Sequence, residues 1–324
     1  MTTLTSVAAS HHPAIRAREP ITTIQDPEFL VDFLGIRTRV EFMADMPGVG
    51  RPSAQPLVVT PAAPAFDEEY FEWIDVLEAV EQAGEEFVMV ELGAGFGRWS
   101  MRAAAALSRT PGRRFRCVAV EAEPEHFRWM LRHFTDNGLD PKDLDLTWAA
   151  VGAAPGFVPF WVGNPGGWYG QAVAARAPTP FPDIRMRRKL KARSVLGRPP
   201  IVPQTGQSIV WVPCTTLKDL VADYPRVDLV DLDIQGLEFE VLAAASDLLD
   251  SRVRRIHIGT HSAEVEHGLR ALFTGLGWEK RNDYPCQARS ETPYGEILFG
   301  DGVQTWVNPR LGEPERATRI PAAG

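Results

Sequence analysis

Apolar and polar positions along the chain follow two periods, which predict helices and strands in turn. Phe71, Ile74, Leu77 and Val80 recur at the spacing of an amphipathic helix, and the apolar run at 88–92 predicts a buried strand. The same two patterns then predict helices at 98–108, 124–137, 215–224, 237–249 and 265–277, and strands at 113–121, 146–152, 227–234 and 253–259. Such alternation indicates an α/β fold with a parallel sheet covered by helices on both faces.

Three stretches depart from this alternation. Residues 1–66 are rich in Pro, Ala and Thr and predict an N-terminal extension or cap, with one ordered piece at 29–43. The stretch at about 154–208 has little regularity, and a segment of this length inside a compact domain is typical of a lid over a site. Residues 294–309 predict a hairpin-like pair of strands. The expected organisation is therefore a main domain at 67–310 with an inserted lid, followed by a tail at 311–324.

Composition narrows the classes of function. A formal net charge of -8 and a pI of about 5.5 argue against general attraction to nucleic acid or to anionic lipid. Three widely spaced cysteines provide neither a disulfide framework nor a paired zinc pattern, which favours a reducing cytoplasm. No apolar run reaches the roughly 18 residues of a membrane span, and residues 1–20 lack the apolar core of a secretion signal. We therefore expect a cytoplasmic protein without membrane contact.

A glycine-rich turn follows the first predicted strand. Gly93, Gly95 and Gly97 let the backbone approach a ligand closely, and the helix after them points its N–H groups at the same place. A dinucleotide fingerprint would need glycine at position 98, where Arg98 stands. Glu91 instead precedes the glycines, which brings negative charge to a turn suited to a cationic sulfonium. The glycines alone could also form an ordinary tight turn without a ligand. This alternative is less favoured once the end of the second predicted strand is considered.

The second predicted strand ends in another carboxylate. Glu121 lies 30 residues after Glu91, where it can accept hydrogen bonds from both hydroxyls of a ribose. The spacing of an acid followed by three glycines, with Glu121 in register, resembles motif I of S-adenosylmethionine-dependent methyltransferases.

Within those enzymes, four blocks of the chain resemble the FkbM-type methyltransferases. The blocks are ELGAGFGRWS, VEAEPEHFRWMLRHFTDNGL, VDLVDLDIQGLEFEVL and GEILFGDGVQTWVNP, and the resemblance covers about residues 85–310. The third block matches the family pattern D-x-x-K-x-D-x-[EQ]-G-x-E except that Asp231 replaces the lysine. Many members also have asparagine at Gly95.

The resemblance implies a class I methyltransferase fold, which is Rossmann-like and doubly wound. Its sheet is seven-stranded and mostly parallel, with a C-terminal antiparallel hairpin. It further implies transfer of a methyl group from S-adenosylmethionine to an oxygen, often a hydroxyl of a sugar or a secondary metabolite. The implied cofactor-binding residues are Glu91, Gly93, Gly95, Gly97, Glu121, Ala122, Ala150 and Asp233.

Methylation of an alcohol needs a base, because the hydroxyl loses its proton as it attacks. His261 is the leading candidate, since it follows the fifth predicted strand on the edge where open α/β sheets bind ligands. A helix-capping role for His261 is the alternative. Asp233, at the end of the fourth strand, could orient the acceptor or contact the methionine amine. His261, Asp233 and Asp231 could instead hold a divalent metal, which we do not favour because an oxygen-rich site needs more carboxylates.

Two further features of the insert bear on the acceptor. Trp168 and Tyr169 could stack on a sugar or aromatic acceptor, or could pack in the core. The run at 185–193 holds six basic residues in nine, and it could be a solvated surface or could bind RNA or a phosphorylated acceptor.

The preferred function is therefore methylation of a hydroxyl on a small molecule or glycan. RNA methylation through the basic run, a nicotinamide-dependent dehydrogenase and a non-catalytic ligand-binding scaffold are the alternatives. Nucleic acid is not an expected partner, and a homo-oligomer is compatible with the sequence. The identity of the acceptor does not follow from the residues.

Overall fold

The computed structural model describes residues 10–46, 50, 52–168, 171–174, 184–195, 197–200 and 208–312. The helices are α1 (Pro13–Arg16), α2 (Glu69–Glu81), α3 (Arg98–Ser108), α4 (Pro124–Asp136), α5 (Ile184–Val195), α6 (Leu217–Leu220), α7 (Glu238–Ala244), α8 (Ser246–Arg252) and α9 (Ala263–Gly275). The first eight strands are β1 (Thr23–Gln25), β2 (Phe29–Val31), β3 (Arg37–Arg39), β4 (Leu57–Val59), β5 (Glu86–Leu92), β6 (Arg114–Glu121), β7 (Asp145–Trp148) and β8 (Ala150–Val151). The others are β9 (Gly156–Val162), β10 (Ser208–Thr215), β11 (Leu229–Leu232), β12 (Arg255–Thr260), β13 (Glu279–Tyr284), β14 (Ala288–Thr292), β15 (Gly295–Phe299) and β16 (Gly302–Val307).

A seven-stranded sheet forms the centre of the fold, in the order β13-β16-β12-β11-β5-β6-β7. The five strands from β12 to β7 are parallel, and β16 is antiparallel to both of its neighbours. The chain extends from β5 through β6 to β7 and then returns to β11 on the other side of β5. Ligands of open α/β sheets bind at such a reversal, beyond the carboxyl ends of the strands. This topology is the Rossmann-like, doubly wound arrangement of class I methyltransferases and confirms the predicted fold class.

Alternate side chains of the central strands enter two different cores. Met89 of β5 packs with residues of α2, α3 and α4 on one face, whereas Val88 and Val90 pack with residues of α7, α8 and α9 on the other. Burial on both faces explains why β5 is an almost unbroken apolar run in the sequence.

The helices that flank the glycine turn begin and end where the sequence indicates. α3 begins at Arg98, directly after Gly97, which has the left-handed φ of 72°. α4 begins at Pro124, and the Glu123 carboxylate accepts a hydrogen bond from the His126 N–H at 2.6 Å. Proline in the first turn and an acidic N-cap satisfy the unpaired N–H groups of that turn.

The insert carries more regular structure than the sequence predicts. β9 lies within it and pairs antiparallel with β10, and β8 pairs parallel with β10, so the three form a second sheet. The strand predicted at 146–152 is consequently divided, because β7 joins the central sheet and β8 joins the small one. The expectation of a segment with little regularity is therefore wrong for residues 156–162, which form β9. Their seven backbone pairs with β10 join residues about 50 positions apart, which no local pattern reveals.

Two other boundaries differ from the prediction. The helix expected at 237–249 is two helices, α7 and α8, separated at Ala245. The two strands of residues 294–309 do not pair with each other, because β15 pairs with β14 in a hairpin and β16 inserts between β12 and β13. Both strands predicted in residues 294–309 are therefore present. Their partners differ from the prediction because β16 lies inside the central sheet.

α1 and β3 of the N-terminal part pack directly on α2 and α4, which cover the main sheet. Ala14 and Ile15 of α1 are 2% exposed and join the core beside α2. Arg39 forms a two-point ion pair with Asp136 at the end of α4, with N–O distances of 2.6 and 2.9 Å. Among the described residues, no helix combines the length and the apolar character needed to cross a bilayer.

Candidate active site

The glycine turn between β5 and α3 is shaped by close approach of other parts of the chain. Gly93 has a φ of 80°, and a Cβ there would lie 1.8 Å from the backbone oxygen of Asp233. Gly95 has a φ of 56°, and a Cβ there would lie 2.6 Å from the Trp168 ring. Any side chain would therefore be both strained and without space at these positions. The turn brings the ends of β5 and β11 together.

Glu121 is fixed beside this turn by backbone donors. One carboxylate oxygen accepts from the Gly95 N–H at 2.7 Å, and the other accepts from the Glu123 N–H at 2.6 Å. Burial raises the pKa of Glu121 to about 8, although both hydrogen bonds act in the opposite direction. Each carboxylate oxygen retains acceptor capacity, since an ionised carboxylate has about four lone-pair sites.

A cavity of about 690 Å³ opens in front of Glu121. Six of the eight predicted cofactor-binding residues line it, namely Gly93, Gly95, Glu121, Ala122, Ala150 and Asp233. Trp168, a predicted acceptor contact, lines the same cavity. Gly97 and Glu91 lie outside its lining. Tyr169, the other predicted acceptor contact, lies outside the described residues.

Glu91 has a different environment from the one that the sequence suggests. Its carboxylate accepts hydrogen bonds from the N–H groups of Trp99 and Ser100 at 3.1 and 3.0 Å, which caps the first turn of α3. Burial, together with the charge of Asp231, raises the pKa of Glu91 to about 7. Its charge is thus directed toward the helix and toward Asp231, on the side of the sheet that faces α2.

A second, larger cavity of about 1260 Å³ lies on that side and is strongly acidic. Among the described residues, seven carboxylates line it, from Glu68, Glu69, Glu72, Glu91, Asp231, Asp233 and Asp301, whereas Arg98 contributes the one guanidinium. The two cavities share the glycine turn, Trp168, Asp233 and Gln235. The molecule therefore has two adjoining cavities that meet at the carboxyl end of β11.

His261 lies next to this junction, held between carboxylates: it is in the lining of neither cavity but contacts Asp233, which lines both. Its Nδ1 is 2.8 Å from Glu238 Oε1, and its Nε2 is 3.2 Å from Asp233 Oδ1 and 2.9 Å from Gln235 Nε2. Asp301 Oδ1 is 3.7 Å from Nε2. The structure thus brings the two predicted catalytic residues, His261 and Asp233, into contact.

These neighbours decide the charge of His261. Burial alone would lower its pKa, but hydrogen bonds to Asp233 and Glu238 outweigh burial and raise the pKa to about 10. Desolvation by the surrounding protein would raise the pKa of Asp233, although its side chain is 52% exposed, but its bonds to His261 and Gln235 hold that pKa below the ordinary value. At neutral pH the isolated site therefore favours an imidazolium bound to carboxylates.

Trp168 separates the two cavities and is itself anchored on three sides. Its Nε1 donates to the Phe42 carbonyl at 2.6 Å, and its ring stacks on His126 at a centroid distance of 4.0 Å. Its ring meets Phe96 edge-on at 5.1 Å. Burial lowers the pKa of His126 to about 4, so a neutral imidazole lies against the indole. The indole thus packs in an aromatic cluster and also lines both cavities.

The predicted basic run forms α5, away from the linings of both cavities. Arg188 and Lys189 are exposed, whereas Leu190 is 7% exposed and packs in the core. The Ser194 hydroxyl donates to the Trp148 carbonyl at 2.9 Å, which helps hold α5 against β7.

Sequence reasoning missed several residues of the site. Gln235 and Glu238 belong to a block that was recognised, yet their contacts with His261 depend on how β11 and β12 align. Glu72 and Asp301 come from elements distant in sequence from Asp231 and His261, so no local signal links them to the site. His126 lies close to Glu121 in a block that was recognised, but its contact with Trp168 depends on the fold of the insert. Among the described residues, two groups have the composition of a metal site, namely Glu72–Asp231–His257 and Asp233–His261–Asp301.

Comparison with known proteins gives a consistent result. Residues 91–277 match the methyltransferase FkbM domain. A protein of Jannaschia sp. (strain CCS1) named "Putative methyltransferase" is 25% identical over 289 residues, which cover 89% of this chain and 95% of that protein.

Two solved structures are also similar. The methyltransferase FkbM from Methylobacillus flagellatus KT has a TM-score of 0.39 and 14% identity, over 69% of this chain and 44% of that one. The precorrin-6y C5,15-methyltransferase from Geobacter metallireducens GS-15 has a TM-score of 0.37 and 10% identity, over 72% and 86%.

Proposed function

Because the chain belongs to the FkbM methyltransferase family, we propose that it transfers the methyl group of S-adenosylmethionine to a hydroxyl oxygen of a small molecule or glycan. The observation that carries this proposal is the meeting of two cavities at Asp233, with His261 in contact at the junction. One cavity suits the cofactor and the other suits the acceptor. A cytoplasmic location is part of the proposal, supported by three free cysteines.

The groups that line the cavity in front of Glu121 suit the chemistry of S-adenosylmethionine. Glu121 would accept hydrogen bonds from the ribose hydroxyls, since both of its oxygens are already fixed by backbone donors. Ala122 and Ala150 would border the adenine, because small side chains leave room for a flat ring. Gly93 and Gly95 keep the turn free of side chains, so the cofactor can approach the backbone.

S-adenosylmethionine supplies an electrophilic methyl group as a sulfonium, and S-adenosylhomocysteine leaves. His261 would take the acceptor proton at Nε2 as the hydroxyl oxygen bonds to the methyl carbon. Glu238 holds the Nδ1–H of that ring at 2.8 Å, which fixes its orientation. The acceptor hydroxyl would displace the Gln235 amide that now lies 2.9 Å from Nε2. Asp233 would orient the acceptor, because it lines both cavities.

Electrostatics couple the two cavities in this mechanism. A pKa of about 10 keeps most of His261 protonated at neutral pH, so the neutral base is a minority form in the free protein. Positive charge near Asp233, which a bound sulfonium would supply, would lower the pKa of His261 and favour release of the imidazole proton. Cofactor binding thereby increases the fraction of His261 that can accept a proton. Trp168, between the cavities, would contact the acceptor with its edge.

Thermal unfolding with ligands tests the cofactor assignment. S-adenosylhomocysteine should raise the melting temperature and NAD⁺ should not, because only a ligand that binds the folded state stabilises it. Glu121→Ala should weaken S-adenosylhomocysteine binding by about 1.5 to 3 kcal/mol, the scale of a hydrogen bond to a charged group. Stabilisation by NAD⁺ alone would overturn the assignment.

Glu123→Ala is the matched control, two residues away and equally buried. Glu123 caps α4 through the His126 N–H and does not line the cofactor cavity. The variant should lose about 0.5 to 2 kcal/mol of stability while its affinity for S-adenosylhomocysteine stays within about threefold. Equal losses of affinity in both variants would remove Glu121 from the cofactor site. Transfer of a labelled methyl group to candidate polyols and glycans then tests the acceptor class.

A further inference from the structure

One row of side chains across the central sheet is polar where an apolar row is expected. Glu91, Asp231, His257 and Thr305 are register partners on the adjacent strands β5, β11, β12 and β16. All four lie under α2 and are at most 4% exposed. Strands buried on both faces normally present apolar side chains, so each of these polar groups requires a partner.

Three members of the row have such partners. Glu91 caps α3, as described above. Thr305 Oγ1 donates to Asp75 Oδ2 at 2.5 Å, and His257 Nδ1 lies 2.7 Å from the same oxygen. Asp75 also receives Arg255 Nη1 at 2.7 Å, so this carboxylate of α2 is fully engaged.

Asp231 is the exception. Its side chain is buried at 4% exposure and lines the acidic cavity, where its carboxyl lies close to that of Glu72. Two carboxyl groups in contact repel each other unless a proton or a cation lies between them.

His257 completes a group with the geometry of a cation site. One ligand atom each from Glu72, Asp231 and His257 lies within 4.8 Å of the other two. Bonds of about 2.0 to 2.2 Å to a common ion would place ligand atoms roughly 3 to 4 Å apart, so small side-chain movements suffice. Asp75 engages Nδ1 of His257 and leaves Nε2 as the ring nitrogen for the ion. A carboxylate behind the histidine is the usual support for a metal ligand.

The surroundings supply negative charge and an open side. In the part of the chain that the structure describes, the cavity lined by this group has seven carboxylates and one guanidinium, from Arg98, which is paired with Glu69 at 2.8 Å. Three protein ligands leave further coordination positions directed into the cavity. An imidazole with two carboxylates suits Mn²⁺, Fe²⁺ or Zn²⁺ better than Mg²⁺ or Ca²⁺, which prefer oxygen ligands alone.

We propose that Glu72, Asp231 and His257 bind a divalent first-row transition-metal ion at the floor of the acidic cavity. This site is distinct from the group around His261, in which both imidazole nitrogens already have partners and the Asp233 and Asp301 side chains are each 52% exposed. The proposal does not depend on the methyl-transfer reaction, because ion binding can be measured without turnover.

Titration of the full-length protein with Mn²⁺, followed by electron paramagnetic resonance, tests this site. The free ion should disappear with a stoichiometry of one per chain, and electron spin-echo modulation should show a nitrogen nucleus coupled to the bound ion. Asp231→Asn should weaken binding at least tenfold. Asp231→Lys should abolish it, since the ammonium occupies the position of the ion, while the variant stays folded by circular dichroism.

Asp301→Asn is the matched control, because Asp301 belongs to the other group of potential ligands. It should change the affinity for Mn²⁺ by less than threefold. Loss of binding in Asp301→Asn with retention in Asp231→Asn would place the ion at His261 and overturn the proposal. Absence of saturable binding of Mn²⁺ and Zn²⁺ below millimolar concentration would overturn it as well.

Discussion

The two cavities that meet at Asp233 are built in opposite ways. In the cofactor cavity, the main carboxylate belongs to Glu121, and backbone N–H groups satisfy both of its oxygens. In the acidic cavity, the carboxyls of Asp231 and Glu72 have oxygens within 4.8 Å of each other. The Glu121 carboxylate of the first cavity thus has hydrogen-bond donors for both oxygens, whereas the described lining of the second cavity has more carboxylates than positively charged groups.

The two cavities also differ in how far apart in the sequence their key residues lie. One part of the cavity in front of Glu121 lies within a single β-turn-α-β unit, so the relative positions of Gly93, Gly95 and Glu121 follow from the chain path between residues 91 and 122. The rest of its lining, which includes Ala150, Trp168 and Asp233, comes from other segments. The acidic group joins α2, β11 and β12, and the Glu72 and Asp231 carboxyls come from positions 159 residues apart. A local unit can be recognised from spacing alone, whereas the second group depends on strand order and register.

The largest expected effect is at the turn that both cavities share. Gly93→Ala should abolish methyl transfer, because the new Cβ would lie 1.8 Å from the backbone oxygen of Asp233 and must push β5 and β11 apart. A left-handed backbone costs an L-residue about 1 to 2 kcal/mol, and the displacement adds to that cost. Urea unfolding of the variant measures the sum.

Gly138→Ala isolates the backbone contribution. Gly138 has a φ of 84°, close to that of Gly93, but a Cβ added there would meet no neighbouring atom within 4 Å. It should therefore cost only about 1 to 2 kcal/mol, and Gly93→Ala should exceed it by at least about 2 kcal/mol. Equal losses in both variants would mean that the shared turn is not held tightly against β11.

The next largest effect is expected at His261, which contacts Asp233 where the two cavities meet. His261→Ala should lower the rate of methyl transfer at least about a hundredfold, the lower end of what a positioned base contributes. The affinity for S-adenosylhomocysteine should remain within about threefold, since His261 does not line the cofactor cavity. An alanine variant with nearly full activity would make His261 a structural residue and Asp233 the next base to test.

The pH profile of the parent enzyme sharpens the same assignment. Only neutral His261 accepts a proton, and its pKa in the free protein is raised to about 10, so kcat/KM should increase with pH well above 7. Glu238→Gln removes a carboxylate that stabilises the imidazolium and should shift this rise toward lower pH. A profile that is flat above pH 6 would contradict a role for His261 as the base.

Much of the cofactor cavity could be predicted from the sequence, for a physical reason. The glycines, Glu121 and Ala122 lie in a segment whose strand and helix periods are both distinct, so their placement follows from the local fold. The helix at 98–108 was likewise predicted with its observed bounds, because Gly97 ends the turn and an apolar stripe follows.

The rest depends on contacts between distant segments. The sequence does not indicate that β16 enters the central sheet, that β9 pairs with β10, or that α2 carries Glu72 over Asp231. His257 could be interpreted as a buried, hydrogen-bonded histidine from its position inside a strand, but its partner Asp75 could not be identified. Register decides these contacts, and register is not a property of any single segment.

A smaller effect follows from the raised pKa of Glu121. Its pKa in the folded protein is about 8, against an ordinary value of 4.5, so the folded state binds more protons than the unfolded state between these values. Stability of the ligand-free protein should therefore decrease as the pH rises from 5 to 8. Glu121→Gln should reduce this decrease by at least about 1 kcal/mol, as measured by urea unfolding at both pH values. An identical decrease in the variant would assign the pH dependence to other buried carboxyls.

The smallest effect is expected on α5, which lies outside both cavities and tests whether either of them serves RNA. Arg188 and Lys189 are exposed on this helix, whereas Leu190 is buried against the core. Reversal of charge at Arg188 and Lys189 to glutamate should change stability by less than about 0.5 kcal/mol and methyl transfer to a small hydroxyl acceptor by less than twofold. Leu190→Ala should instead cost about 2 kcal/mol or more, since it removes packing between α5 and the core. If an RNA acceptor is methylated and the charge reversal reduces that transfer tenfold or more, the basic helix is an RNA contact, because attraction to phosphates depends directly on such charges.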